Sequence, residues 1–202
     1  MRELTEFLPY VLPFAAACPE PTAEKYIREA AIEFCQRTRV WREIDSFPVT
    51  GHELETACAP PHSELFEIER AWLDGVALTP VSMGEVAFML DEHGGGQPAY
   101  ITQSTPNSIR VLPRGPGKLR ISMFLKPSLD AEVLPSFLFD QYAKVIGEGA
   151  LAQICLLPNQ PFTSPDYAMM FAGRFNAACD RNFAVNLKGQ QRGRVRTKPS
   201  FF

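Results

Sequence analysis

The chain has 202 residues, with 20 Lys and Arg against 23 Asp and Glu, a formal net charge of −3. Hydrophobic residues make up 46% and charged residues 21%, which excludes wholesale disorder and suits one domain, or one domain with an insertion. No apolar run approaches the roughly 20 residues of a spanning helix, which excludes an integral helical membrane protein.

The charge is unevenly placed. Residues 188–202 carry Lys188, Arg192, Arg194, Arg196 and Lys198 and no acid, so residues 1–187 hold 15 cations against 23 anions, a charge of −8, and the end of the chain holds +5. Eighteen prolines predict many turns and few long uninterrupted elements.

At the N-terminus, Phe7–Ala17 is apolar and runs into Ala15-Ala16-Ala17-Cys18, a loose imitation of a lipoprotein cleavage site. The flank lacks a positive n-region, since Arg2 is set against Glu3 and Glu6, and Pro9 and Pro13 break the apolar stretch. The expectation is an extended or turn-rich arm and no export signal.

The first strong element is a helix over Thr22–Ile44. Ile27, Ala30, Ala31, Phe34, Cys35, Thr38 and Trp41 recur at helical steps, with Thr22 as N-cap and Phe47-Pro48 as the stop. From 47 to 128 the period becomes two. Leu65–Leu73 alternates, and Asp74-Gly75 before Val76-Ala77-Leu78 is a hairpin signal. Ser82-Met83-Gly84-Glu85 fits a capping box opening a helix over Met83–Leu90. His93-Gly94-Gly95-Gly96 reads as a loop. Strands are expected at Ala99–Gln103, Ser108–Leu112 and Lys118–Leu125, making a small antiparallel sheet with one polar face. Helical period returns over Pro135–Leu157, where Ala143, Gly147 and Ala150 form a small-residue patch. Gly147 and Gly149 each cost a helix roughly 1 kcal/mol against Ala, so a packing or kinking reason is expected. Ser164-Pro165-Asp166 opens the last helix, which fades near Leu187 with Gly189 as a stop.

The expected fold class is therefore α+β. It is an antiparallel helical bundle with a small antiparallel sheet inserted between the first and second long helices, and an extended basic C-terminal tail. The expected divisions are 1–46 (arm and first helix), 47–130 (β-rich insertion), 131–187 (two further helices) and 188–202 (tail).

Chemistry is sparse. The five cysteines, Cys18, Cys35, Cys58, Cys155 and Cys179, are widely spaced, with no CxxC and no His-x-x-x-His to make a zinc site. They read as reduced core thiols. No Walker A loop, GxSxG or HExxH occurs. A Cys58–His62 or Cys35–His52 dyad can be drawn, but no spacing selects either, and a thiol-dependent hydrolase is the weakest functional reading. The expectation is a protein without catalytic residues, cofactor or metal.

The last fifteen residues, Lys188–Phe202, stand out. Arg192, Arg194 and Arg196 alternate with Gly193 and Val195, and Phe201-Phe202 ends the chain as an apolar anchor. A solvated disordered tail is one reading, and a nucleic-acid-binding module using the basic tail is another. A docking strand for a protein partner uses both the arginines and the phenylalanines.

Several segments in order resemble the tailed-bacteriophage head-to-tail adaptor family, also called connector, neck or head-completion proteins. They are Leu8-Pro9-Tyr10-Val11-Leu12-Pro13, Cys18-Pro19-Glu20-Pro21, Ile27–Arg42, Leu73-Asp74-Gly75, Leu78-Thr79-Pro80-Val81, Leu125-Lys126-Pro127-Ser128-Leu129, Tyr142–Ala152 and the Arg-rich end with a terminal Phe. The resemblance covers nearly the whole chain, and no single motif in it is catalytic. It implies a structural virion protein forming a ring, typically a dodecamer, at the head–tail junction, assembled in the host cytoplasm. Its partners would be the portal protein and a tail, nozzle or terminator protein, with double-stranded DNA passing through the lumen without specific binding. It also implies that Arg192, Arg194, Val195, Arg196, Lys198, Phe201 and Phe202 dock on the portal.

Overall fold

A computed structural model describes residues 1–51, 55–56, 59–85 and 96–188, with backbone alone for 55–56 and 184–188. The chain divides into two compact units, Met1–Val40 with Glu132–Phe202, and Trp41–Ala131.

The first unit is helical. Strand β1 (Arg2–Glu3) pairs antiparallel with β9 (Val133–Leu134). Of the extended and turn-rich forms expected, the arm takes the turn-rich one, a 3₁₀ helix over Leu4–Tyr10 followed by turns. A capping box opens it, with the Glu3 N–H donating to Glu6 Oε1 at 3.1 Å, and Leu4, Phe7 and Leu8 bury its inner side. Pro9 lies inside this helix.

Helix α1 spans Glu20–Thr38 and is shorter than the Thr22–Ile44 expected. Its N-cap is Pro19, with Thr22 inside the helix, and it ends where Arg39 turns left-handed (φ 52°) and donates its N–H to Cys35 O at 2.9 Å. Phe47-Pro48 is not the stop; it lies within a strand. Trp41 caused the overreach, because it is buried and stands three residues past Thr38, a helical step.

Helices α2 (Ser136–Ile154) and α3 (Pro165–Lys188) complete the unit. Ser164 caps α3, accepting the Tyr167 N–H on its hydroxyl. Each of the three helices packs on the other two. The α2 glycines have the packing reason that their cost implied. A Cβ on Gly147 would stand 2.7 Å from Tyr10 Cβ, and one on Gly149 would stand 2.8 Å from the Phe175 ring and 3.0 Å from Ala30 Cβ. No described helix is long and apolar enough to cross a membrane.

The second unit is a mixed sheet in the order β2-β8-β4-β5-β6-β7-β3. The strands are β2 (Arg42–Val49), β3 (Glu55–Thr56), β4 (Ser63–Leu73), β5 (Val76–Pro80), β6 (Tyr100–Thr105), β7 (Ser108–Leu112) and β8 (Gly117–Pro127). The expected bundle with a small antiparallel insertion is therefore wrong. The sheet has seven strands, a compact unit of its own, and a parallel β5–β6 pair with Thr79 opposite Tyr100. Two physical facts hid it. Strand β2 follows α1 after three residues, and its first residues, Arg42–Ile44, continue the helical pattern. A parallel pairing joins strands distant in sequence, which alternation cannot reveal.

Strand β8 also departs from a half-polar strand. Lys118 and Arg120 are exposed as expected, but Ile121–Leu125 is buried continuously. Ser122 donates to Glu69 Oε2 at 2.7 Å, and the Arg42 guanidinium lies 5.1 Å from the Phe124 ring centre. This strand is paired on both edges, by β2 and β4.

The β4–β5 hairpin forms as expected. Asp74 (φ 48°) and Gly75 (φ 87°) are both left-handed, the geometry of a type I′ turn. Asp74 Oδ1 also accepts the Lys118 N–H at 2.9 Å, tying the turn to β8. No atom lies within 4 Å of a Cβ built on Gly75, so Gly75→Val meets only backbone strain. Its expected cost is about 1–2 kcal/mol, read as a shift in urea midpoint at constant slope.

Half of the capping box at Ser82 forms: the Ser82 N–H and hydroxyl both donate to Glu85 Oε2 (2.8 and 2.9 Å), while the Glu85 N–H donates to the Ser82 carbonyl at 3.1 Å and not to the hydroxyl. Met83–Glu85 is helical. The rest of the expected Met83–Leu90 helix, and the Gly189 stop, lie outside the described residues.

Candidate functional site

All seven expected portal-docking residues, Arg192, Arg194, Val195, Arg196, Lys198, Phe201 and Phe202, lie outside the described residues. So do His52, Cys58, His93, Gly94 and Gly95. The interaction surfaces that can be built from geometry are those of the two units.

Cys18, Cys35, Cys155 and Cys179 are free and buried. Burial raises all four above the ordinary thiol value of 9.0, Cys179 to about 11 despite the nearby Arg37, and Cys35, with no exposed surface, further still. A thiol held protonated in the core is no nucleophile, so Cys35 packs and does not attack. Among the described residues no group of three or more His, Cys, Asp or Glu could hold a metal ion.

These thiols set an alkaline limit on stability. Unfolded thiols ionise near their ordinary value of 9.0, while the folded ones keep their protons. Their contribution is complete below that pH and is lost as pH rises through the folded values. The urea midpoint is expected to fall from about pH 9 upward, and to fall less steeply in Cys179→Ala.

The helical unit carries two grooves of opposite charge. The first lies between α2 and α3, an open groove of 470 Å³ bearing Lys144, Arg174 and Arg181 against one acid, Glu148, over a floor of Val145, Ala177 and Ala178. It arises from spacing. Lys144 and Glu148 are one turn apart on α2, and Arg174, Ala177, Ala178 and Arg181 share a face of α3. Glu148 is largely buried (13% exposed) and holds Arg174 at 3.6 Å. Lys144 and Arg181 are exposed and make no ion pair among the described residues.

The second groove, of 360 Å³, lies where β1, the first turns of α1 and β9 meet. It bears Glu3, Glu24 and Glu132 against one cation, Arg28, with Leu4 and Val133 between them. Glu24 and Glu132 make no ion pair among the described residues.

The sheet unit has a third concavity, over two β-bulges, one between Leu65 and Glu67 and one between Gln103 and Thr105. Here two carboxamides replace the ladder. Asn107 Oδ1 accepts the Leu65 N–H at 2.7 Å, Asn107 Nδ2 donates to Ser63 O at 3.2 Å, and Gln103 Nε2 donates to Leu65 O at 2.8 Å. Lys126 and Glu64 pair across its rim at 3.0 Å. These contacts fasten the β6–β7 hairpin to the first half of β4, whose outer edge β5 leaves unpaired.

Sequence reasoning missed both charged grooves. Their side-chain spacings are visible, but which helix faces which is not. Comparison with known proteins finds no matching family model and no matching curated protein.

Proposed function

We propose that this chain is a structural ring subunit of a tailed phage, joining the capsid portal to the tail and lining part of the DNA channel. The ordered resemblance along nearly the whole chain carries this reading. Three of the resembling segments meet in the helical core. Tyr10, from Leu8–Pro13, packs on Gly147 of Tyr142–Ala152, and Gly149 of that same segment packs on Ala30 of Ile27–Arg42. The shared residues are therefore ones that set how the arm and two helices approach one another.

Charge supports a conduit. The sheet unit holds seven Lys and Arg against twelve Asp and Glu over Trp41–Ala131, a charge of −5. A surface of that sign repels phosphates and does not retain DNA. The basic end of the chain is the portal-docking segment in this proposal. A segment that binds only when its partner is present suits stepwise assembly.

Helix α3 runs to Lys188, so deletion of 189–202 leaves its described length intact. The truncated chain is expected to keep the far-UV circular dichroism and melting transition of the full chain while losing capture by purified portal protein. Undiminished capture would exclude docking through this segment. The nucleic-acid-module alternative predicts instead that the full chain binds duplex DNA with a steep loss of affinity between about 50 and 200 mM salt, which the truncation abolishes.

A further inference from the structure

We propose that the basic α2–α3 groove of one copy receives the acidic β1–α1 groove of a second copy, in a head-to-tail contact between helical units. The inference rests on the ring reading and names the surfaces that build the ring.

The two grooves belong to one compact unit but to different elements. Neither is self-complementary, and each matches the other in sign: three cations with one acid, and three acids with one cation. A pair of unlike, complementary patches on one chain makes a heterologous contact, and such contacts propagate until they close into a ring or continue as a filament. A two-fold dimer centred on either groove would instead place like charges opposite each other.

The pairing is also supported by what each groove leaves unmatched. Glu148 already engages Arg174, so Lys144 and Arg181 remain as the cations available to a partner. On the other side the Glu3 carboxylate already accepts the Thr5 hydroxyl at 3.3 Å, and Glu24 and Glu132 remain as the carboxylates. The count is two against two. Ala177 and Ala178 on one floor, and Leu4 and Val133 on the other, leave short apolar surfaces between the charges. Charged rims around a small apolar centre are the usual anatomy of a specific contact. Contacts of this kind set register and orientation more than affinity, which a ring subunit needs.

The test uses the full chain. Equal amounts of ¹⁵N-labelled and unlabelled protein are mixed at high concentration and treated with a zero-length carbodiimide, which joins an amine to a carboxylate only in direct contact. Mixed-isotope peptides joining Lys144 to Glu24 or Glu132 are expected, and high salt should suppress them. The double variants K144E/R181E and E24K/E132K should each lower the coupled fraction at least tenfold when alone. Mixed with each other, they should restore coupling, both between the unchanged grooves (Lys144 to Glu24 or Glu132) and between the new lysines and the new glutamates. Circular dichroism of each variant confirms that it folds.

Coupling of Lys144 to other carboxylates, or of Glu24 and Glu132 to Lys188 or Lys198 of the basic end, overturns the pairing. So does coupling that survives both reversals, or none at any concentration. Imaging of wild-type protein on portal particles separates this from the ring reading. Rings that persist with the reversed variants overturn the groove pairing alone, and absence of rings with wild-type protein overturns the ring itself.

Discussion

Replacing Phe34 by Ala lowers the stability of the chain by about 4 kcal/mol, within the range for truncating a fully buried Phe. Phe34 has no exposed surface. Its ring centre lies 4.9 Å from that of Tyr142 on α2 and 6.4 Å from that of Phe175 on α3. One side chain of α1 thus joins all three helices. The cavity left by Ala cannot collapse easily, since closing it would move helices that also meet at Gly149. The check is urea denaturation followed by far-UV circular dichroism, where the midpoint should fall. The conservative Phe34→Leu, which keeps most of the volume, should lose well under half as much.

Gly149→Val is expected to cost about 3 kcal/mol, at the upper end for overpacking a core. Taken as a helix position alone, Gly149 looks improvable, because replacing an interior Gly with Ala is worth about 1 kcal/mol. The packing reverses that sign. A Cβ at 149 would stand 2.8 Å from two carbons of the Phe175 ring and 3.0 Å from Ala30 Cβ. Both neighbours are buried, so neither can swing into solvent. Val adds branched bulk on top of that overlap. Even Gly149→Ala should lower the melting temperature, whereas Gly173→Ala on α3, with no atom within 4 Å of the added carbon, should raise it. Opposite signs for one substitution at two helical glycines separate packing from propensity.

The elements whose information is local could be read in advance. The stripes of α1, α2 and α3, the Ser164-Pro165 helix start, the Ser82–Glu85 contact and the Asp74-Gly75 turn all depend on neighbours within a few residues. The failures share a cause. The first three residues of β2, Arg42–Ile44, fit the helical pattern because Trp41 stands a helical step from Thr38, yet Arg39 ends α1 in a left-handed conformation that its residue type does not advertise. The outward polarity of β8 failed at Ser122 and Phe124, because what covers a strand face depends on remote residues such as Glu69 and Arg42. The candidate surface divides the same way. The basic end announces itself as a run of arginines, whereas the α2–α3 groove draws Lys144 and Arg174 from positions thirty residues apart.

The sequence by itself determined the helices, the tight hairpin, the buried character of Cys18, Cys35, Cys155 and Cys179, and the split between an acidic body and a basic end. All of these follow from local spacing or from composition. Only the tertiary structure decided that the β region is a seven-stranded mixed sheet with its own compact unit. It alone set Gly149 against Phe175 and Ala30, and gave one helical unit two grooves of opposite charge. These depend on which surfaces meet across long stretches of chain, and that choice is made by the total apolar area buried and the backbone groups satisfied when the chain folds.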